Sequence, residues 1–371
     1  MSSPPNENRD AQLDELRGLA ICAVLASHVA LVFRNELELA RTLLLPALGV
    51  GVDLFFVISG FFIVDRAARS SAKAGGFRLG AAAFWAGRVI RIGVPTWVTI
   101  GALYVAWRLG GLHGLHGEDL IAAAAFLGNL YWAPCFAVGE GCGDPLLSSH
   151  FWSLGIEAQF YVLAPFIAVL PRRWLWVIVA STLTAGALLS RPWGGFWWAL
   201  RPDALLVSVL IGLETRRRTE WLSLIPEIGL GLASYWLLVA AGLARVLSIS
   251  GTGAGLVAVA VIFGMVVAGR RRDIGDRAPF GAKPLRWIGE RSFSIYLVHL
   301  PVLSGLRAAL LEQAPPWAVA ALATIGAVVA ALCLERWVTR PSMVMARRVA
   351  ARICGVNGAN ASSRIEGPIT E

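Results

Sequence analysis

The chain has 371 residues, of which 57% are hydrophobic and 15% charged, and its formal net charge is +9. Soluble globular domains seldom carry so apolar a composition, which points to membrane embedding. The positive charge does not imply nucleic-acid binding, because the arginines fall in short hydrophilic stretches between apolar runs, where positive-inside topology accounts for them.

Residues 1–15 are polar and carry both signs of charge, without the basic start and cleavage site of a secretory signal, so the first apolar run is expected to stay as an anchor. About 20 apolar residues cross a bilayer. Such runs occur near 16–34, 42–64, 84–107, 151–170, 174–190, 196–213, 222–243, 252–269, 285–307 and 317–335. The stretches 65–78, 171–173, 214–220 and 269–277 and the tail from Arg336 are rich in arginine and read as cytoplasmic. The intervening loops carry fewer positive charges, so ten spans with both termini cytoplasmic satisfy the rule.

One apolar segment, 120–133, is too short for a comfortable span and is followed by the acidic stretch GEGCGD, so it reads as a re-entrant or interfacial helix on the outer side. The five cysteines are too few and scattered for a disulfide framework; Cys135 and Cys142 are the close pair outside the apolar runs, and a bridge is expected if their loop faces an oxidising periplasm. The expected fold is all-α: a polytopic transmembrane helical bundle over 16–345, with a cytoplasmic tail at 1–15 and a polar cytoplasmic tail at 346–371, too small and polar to bury a core and expected to be disordered. There is no repeat of the kind that duplicated transporter halves carry.

An ionisable side chain at the bilayer centre costs on the order of 2.5–3.5 kcal/mol, so each needs a partner or a role. Within the spans these are His28, Asp53, Glu157, Glu227 and His299. A helical rise of about 1.5 Å per residue puts His28 about 18 Å, Asp53 about 16 Å, Glu157 about 21 Å and His299 about 18 Å above the inner edge, close to one depth. Arg17 lies on the His28 face, about 16 Å below it. Arg88 and Arg91 form an i, i+3 pair at the start of the third span. Three guanidiniums near one surface would clamp phosphate, and a buried base above them matches the shape of coenzyme A, with phosphates at one end and a thioester at the other.

LDELRGLAICAVLASHVALVF (13–33) resembles the opening helix of the acyltransferase-3 membrane family, whose Arg and His are separated by ten residues. GVGVDLFFVISGFFI (49–63), FWAGRVIRIGVP (84–95) and HFWSLGIEAQFYVLAPF (150–166) are similar to further segments of that family. So are ALRPDALLVSVLIG (199–212) and GERSFSIYLVHLPV (289–302), in the same order. The resemblance implies an enzyme of the bacterial inner membrane that moves acetyl, succinyl or longer acyl groups from acyl-CoA to a glycan such as lipopolysaccharide, exopolysaccharide or peptidoglycan. Some members carry a fused extracytoplasmic domain; none is expected here, so a stand-alone module, a separate periplasmic partner or a homo-oligomer is expected.

A sugar hydroxyl attacks a thioester once a base takes its proton, and His28 is the expected base, with Glu157 or Asp53 holding its ring. An acyl-His intermediate stays open. Arg17, Arg88 and Arg91 are the expected acyl-CoA ligands, and Trp152, Tyr296, His299, Arg201 and Asp203 the expected acceptor-side residues. Trp132, Trp197 and Trp198 are further candidates for stacking on sugar rings. His113 and His116 lack partners at metal spacing, so no metal is expected. The competing readings are a transporter of a glycan or lipid intermediate, since intramembrane His and carboxylates also mark substrate paths, and a membrane scaffold.

Overall fold

The computed structural model describes residues 7–38, 50–139, 141–188 and 283–355, with 199, 200, 205, 206 and 209. Every regular element among them is helical. Helix α1 (Glu7–Val32) is followed by α2 (Val50–Lys73), α3 (Phe77–Arg88), a π-helical turn (Val89–Gly93) and α4 (Val94–Arg108). Two shorter helices, α5 (Gly117–Ala124) and α6 (Gly128–Val138), lead through α7 (Pro145–Ser148) to α8 (Phe151–Val169) and α9 (Arg172–Leu188). The last described stretch holds α10 (Lys283–Glu290), α11 (Ser292–Leu310), α12 (Pro316–Leu334), a second π-helical turn (Glu335–Thr339) and α13 (Arg340–Ile353).

Among the described residues, five helical stretches are long and apolar enough to cross a membrane: Asp14–Val32, Phe77–Arg108, Phe151–Val169, Ser292–Leu310 and Pro316–Ile353. They overlap the expected spans at 16–34, 84–107, 151–170, 285–307 and 317–335. The described parts of 42–64 and 174–190 lie in α2 and α9. Only isolated residues of 196–213 are described, and 222–243 and 252–269 lie outside the described residues.

Several boundaries differ from the hydropathy reading. The hydrophilic stretch at 65–78 is mostly helix: α2 runs on to Lys73, with Asp65 and Arg69 paired one turn apart, and only 74–76 link it to α3. Charge ends an apolar run without ending a helix; Gly75, at φ 69°, does end it. The segment 120–133 is two helices, broken where Phe126 adopts φ 56°. The expected span 285–307 divides at Arg291 into α10 and α11. Helix continues from α12 through α13 to Ile353, past the expected boundary at 345, while 356–371 lie outside the described residues.

Both π-helical turns have the same local origin. Pro95 follows the first and Pro341 the second, each two residues beyond the turn. A helical proline cannot donate to the carbonyl four residues back and its ring presses on that carbonyl, here Arg91 and Trp337. A widened turn accommodates the misfit. The turns carry Arg91 and Glu335, and α13 packs against α3 and the first turn.

Helix α1 is the centre of the assembly, packed against α2, α10 and α11, while α2 also packs on α8 and α11 on α12. The largest core cluster includes Leu16, Phe56, Val57, Phe151, Trp152 and Leu297. Glycines permit the closest contact: a Cβ at Gly289 would stand 1.6 Å from the Asp14 carbonyl oxygen, and one at Gly18 would stand 2.2 Å from that of Leu285. Small residues let membrane helices approach backbone to backbone. Overpacking typically costs about 1–3 kcal/mol. Gly289→Ala should therefore lower the thermal midpoint of the detergent-purified protein measurably, and an unchanged midpoint would mean that α10 can move off α1 at little cost.

Candidate functional site

The five imidazoles of the sequence include three that the fold gathers together. His28 Nδ1 lies 2.7 Å from His299 Nε2, with ring centroids 4.8 Å apart. His299 is fully buried, and its Nδ1 sits 2.7 Å from the Tyr296 carbonyl oxygen and 3.2 Å from that of Ile295. Carbonyl oxygens only accept, so the His299 proton is on Nδ1 and, in the neutral ring, Nε2 is an acceptor. His28 Nδ1–H then donates to His299, leaving a lone pair on His28 Nε2. His28 is half-buried, so the accessible ring of the pair is also the one with this lone pair.

The third imidazole, His150, precedes α8 and is 1% exposed. Its ring centroid is 5.3 Å from that of His299, and its Nε2–H donates to the Leu297 carbonyl at 3.2 Å. With its proton on Nε2, the neutral ring presents Nδ1 as an acceptor. The Tyr296 hydroxyl donates to the His150 carbonyl and also meets Ser153 Oγ.

Below the histidines, toward the Arg17 end of α1, lies a cavity of about 430 Å³. Its walls include six arginines, Arg17, Arg66, Arg88, Arg91, Arg286 and Arg340, against four carboxylates, Asp14, Glu157, Glu290 and Glu335. Arg17 pairs with Asp14 at 2.9 Å, Arg286 with Glu290 at 3.3 Å and Arg340 with Glu335 at 3.3 Å. The Arg88 guanidinium lies over the Tyr161 and Phe84 rings at 5.0 and 5.4 Å. Ser59 and Tyr161 both donate to Glu157. Guanidiniums in excess over carboxylates, braced by aromatic faces, form a pocket suited to polyanions. Tyr296 and Ser153 also line this cavity, and the Tyr296 ring centroid is 5.6 Å from that of His299, so Tyr296 borders both the cavity and the histidines.

The fold thus brings together Arg17, Arg88, Arg91, Glu157 and Tyr296 in one cavity and joins His28 to His299. The expected carboxylate partner of the His28 Nδ1 proton is replaced by an imidazole, while Glu157 serves Ser59 and Tyr161. Asp53 is buried in the first turn of α2. Trp152 packs edge-on against Phe56, and Trp132 stacks on Phe136, both buried rather than presented for stacking. Arg201, Asp203, Trp197, Trp198 and Glu227 lie outside the described residues. Sequence reasoning missed Arg66, Arg286 and Arg340, which read as ordinary loop or helix-end arginines. It also passed over His150, although that residue opens a quoted motif.

The profile of the acyltransferase-3 family, described as an acyltransferase domain, matches residues 10–336. The chain belongs to the acyltransferase-3 family. It is 27% identical over 327 residues to the peptidoglycan O-acetyltransferase OatA of Listeria monocytogenes, covering 79% of this chain and 49% of that protein. It is 25% identical over 334 residues to the putative peptidoglycan O-acetyltransferase YrhL of Bacillus subtilis, covering 78% and 48%. With the exopolysaccharide production protein ExoZ of Rhizobium meliloti it shares 28% identity over 144 residues, covering 38% and 41%. The chain spans about half the length of these curated relatives. No solved structure matches it.

Within this acyltransferase-3 chain, the arginine cavity should bind a polyanion. Pyrophosphate at 100 times its Kd should stabilise the purified protein by about 2.7 kcal/mol. Arg88→Ala with Arg91→Ala should remove most of that effect in a thermal-shift titration; retained protection would locate the anion elsewhere.

Proposed function

We propose that the protein is an O-acyltransferase, in the simplest case an O-acetyltransferase, using acyl-CoA as donor and a glycan hydroxyl as acceptor. The observation that carries the reading is the His28–His299 pair beside an arginine-lined cavity, with Tyr296 bordering both. The phosphates of the donor fit the Arg17, Arg88 and Arg91 end, with Arg66, Arg286 and Arg340 adding charge. The extended pantetheine arm of the donor would carry the thioester toward Tyr296 and the histidines.

His28 Nε2 takes the proton of the acceptor hydroxyl as its oxygen attacks the thioester carbonyl. His299 accepts the His28 Nδ1–H bond, which fixes the tautomer and steadies the imidazolium. The new carbon–oxygen bond replaces the carbon–sulfur bond, and His28 returns its proton to the departing thiolate. Tyr296 and Ile295 carbonyls hold His299 in the accepting orientation.

The arginine end is assigned to the cytoplasm, where the donor is made, and the opposite end to the extracytoplasmic side of the bacterial inner membrane. Two independent features support this orientation. Arginine-rich sequence flanks the cavity end. The Cys135–Cys142 disulfide ties the last turns of α6 to the loop before α7, which leads into the opposite end of α8, and structural disulfides persist in oxidising compartments. The names of the relatives, which refer to peptidoglycan and exopolysaccharide, favour a glycan as acceptor. A transporter has no need of a base whose tautomer is fixed beside an anion cavity.

Membranes containing the protein should move labelled acetyl from acetyl-CoA to glycan, and His28→Ala should lower the rate by about 10²–10⁴-fold at equal expression. His299→Phe keeps the volume but accepts no hydrogen bond; it should lower kcat by about 10-fold or more and leave the KM for acetyl-CoA unchanged. Undiminished transfer by His28→Ala would remove the base from the mechanism.

A further inference from the structure

Beyond the histidines, at the end of α1 away from Arg17, four polar atoms are buried without a hydrogen-bond partner: Glu36 Oε2, Ser148 Oγ, His150 Nδ1 and Arg307 Nε. They belong to one region. Helix α1 and the turn that follows it (33–36) run in the same direction as α11, because His28 of α1 pairs with His299 and Glu36 of the turn with Arg307, both across a sequence separation of 271. Arg307 therefore stands about 12 Å along α11 from His299. The chain from Leu146 to His150 runs antiparallel along the same face of α11, with Ser304 Oγ donating to the Leu146 carbonyl at 2.8 Å and His150 Nε2–H to that of Leu297 at 3.2 Å. Ser148, 0% exposed, falls between these two anchors.

Buried polar atoms almost always find partners, so atoms that have none within the protein are the groups a bound ligand would engage. Their chemistry restricts its class. Glu36 Oε2 and the neutral His150 Nδ1 only accept, Arg307 Nε–H only donates, and Ser148 does either. A phosphate offers acceptors alone and would be repelled by the Glu36 carboxylate. A cation would face the Arg307 guanidinium, and an acyl chain would satisfy none of the four. Hydroxyl groups, which donate and accept at one atom, satisfy all of them.

We propose that Glu36, Ser148, His150 and Arg307 form the binding site for a neutral polyhydroxyl group, the sugar unit whose hydroxyl is delivered to His28. The assignment rests on the acyl-transfer reading and adds where the acceptor is held. Arg307, by its pairing with Glu36, sets the far edge of the site, and His150 sets the edge nearest the reacting pair.

The test uses the purified full chain in detergent, with methyl β-glucoside as the polyol probe and pyrophosphate as the probe of the arginine cavity. Methyl β-glucoside should protect the wild type from thermal unfolding. Ser148→Ala, and Arg307→Lys, which keeps the ion pair but deletes Nε–H, should each require about 3–10 times more glucoside for half-maximal protection. Pyrophosphate protection should be unchanged in both. In the transfer assay the same variants should raise the acceptor KM by a similar factor and leave the KM for acetyl-CoA unmoved. If one variant fails to fold, the other carries the test. Superimposable glucoside curves for wild type and variants, or no protection of the wild type, would overturn the site. Absence of pyrophosphate protection in the wild type would instead count against the donor cavity.

Discussion

Helix α1, with the turn that follows it, runs beside α11 in the same direction, and this places an imidazole against an imidazole at one level and a carboxylate against a guanidinium at the next. The register is fixed by the close approach of α10 to α1, where Gly289 lies against the Asp14 carbonyl and Gly18 against that of Leu285. A shift of one residue would turn His299 by about 100° around its helix and break the pair. The His28–His299 pair and the walls of the arginine cavity near Ser292 and Tyr296 all depend on that packing.

The same helices separate two kinds of polarity. At the Arg17 end, ionic groups accumulate around a cavity, with carboxylates muting some guanidiniums and aromatic rings facing others. At the Glu36 end the Glu36–Arg307 ion pair lies among apolar residues such as Leu146, Leu306 and Leu310. Between them, the Tyr296 hydroxyl ties α11 to the His150 carbonyl and to Ser153 at the start of α8. The proposed transfer would use one end for each substrate, since charged phosphates and neutral sugars demand different surroundings.

Much of the candidate site could be read from the chain. His28, His299 and Glu157 were conspicuous because an ionisable group in an apolar run needs a reason, and Arg17 shared a face with His28 by helical spacing alone. Arg88 and Arg91 both line the cavity, although through a π-helical turn caused by Pro95 rather than the regular helix that their spacing implied. What could not be read was partnership. A carboxylate was the expected companion of His28, but the choice among Asp53, Glu157 and His299 depends on which helix lies next to α1, and no periodicity records that. Arg66, Arg286 and Arg340 escaped for the same reason, as did His150 and the Glu36–Arg307 pair.

The sequence by itself determined the helical class, the membrane setting, the positions of five apolar helices and the identities of most ionisable groups at the centre, because hydrophobic periodicity and the cost of buried charge are local properties of a chain. Only the tertiary structure decided the ends of α2 and α13, the breaks at Phe126 and Arg291, and the pairing of His28 with His299. Those depend on backbones approaching within the reach of a missing Cβ and on hydrogen bonds between residues hundreds of positions apart, which a one-dimensional pattern does not encode.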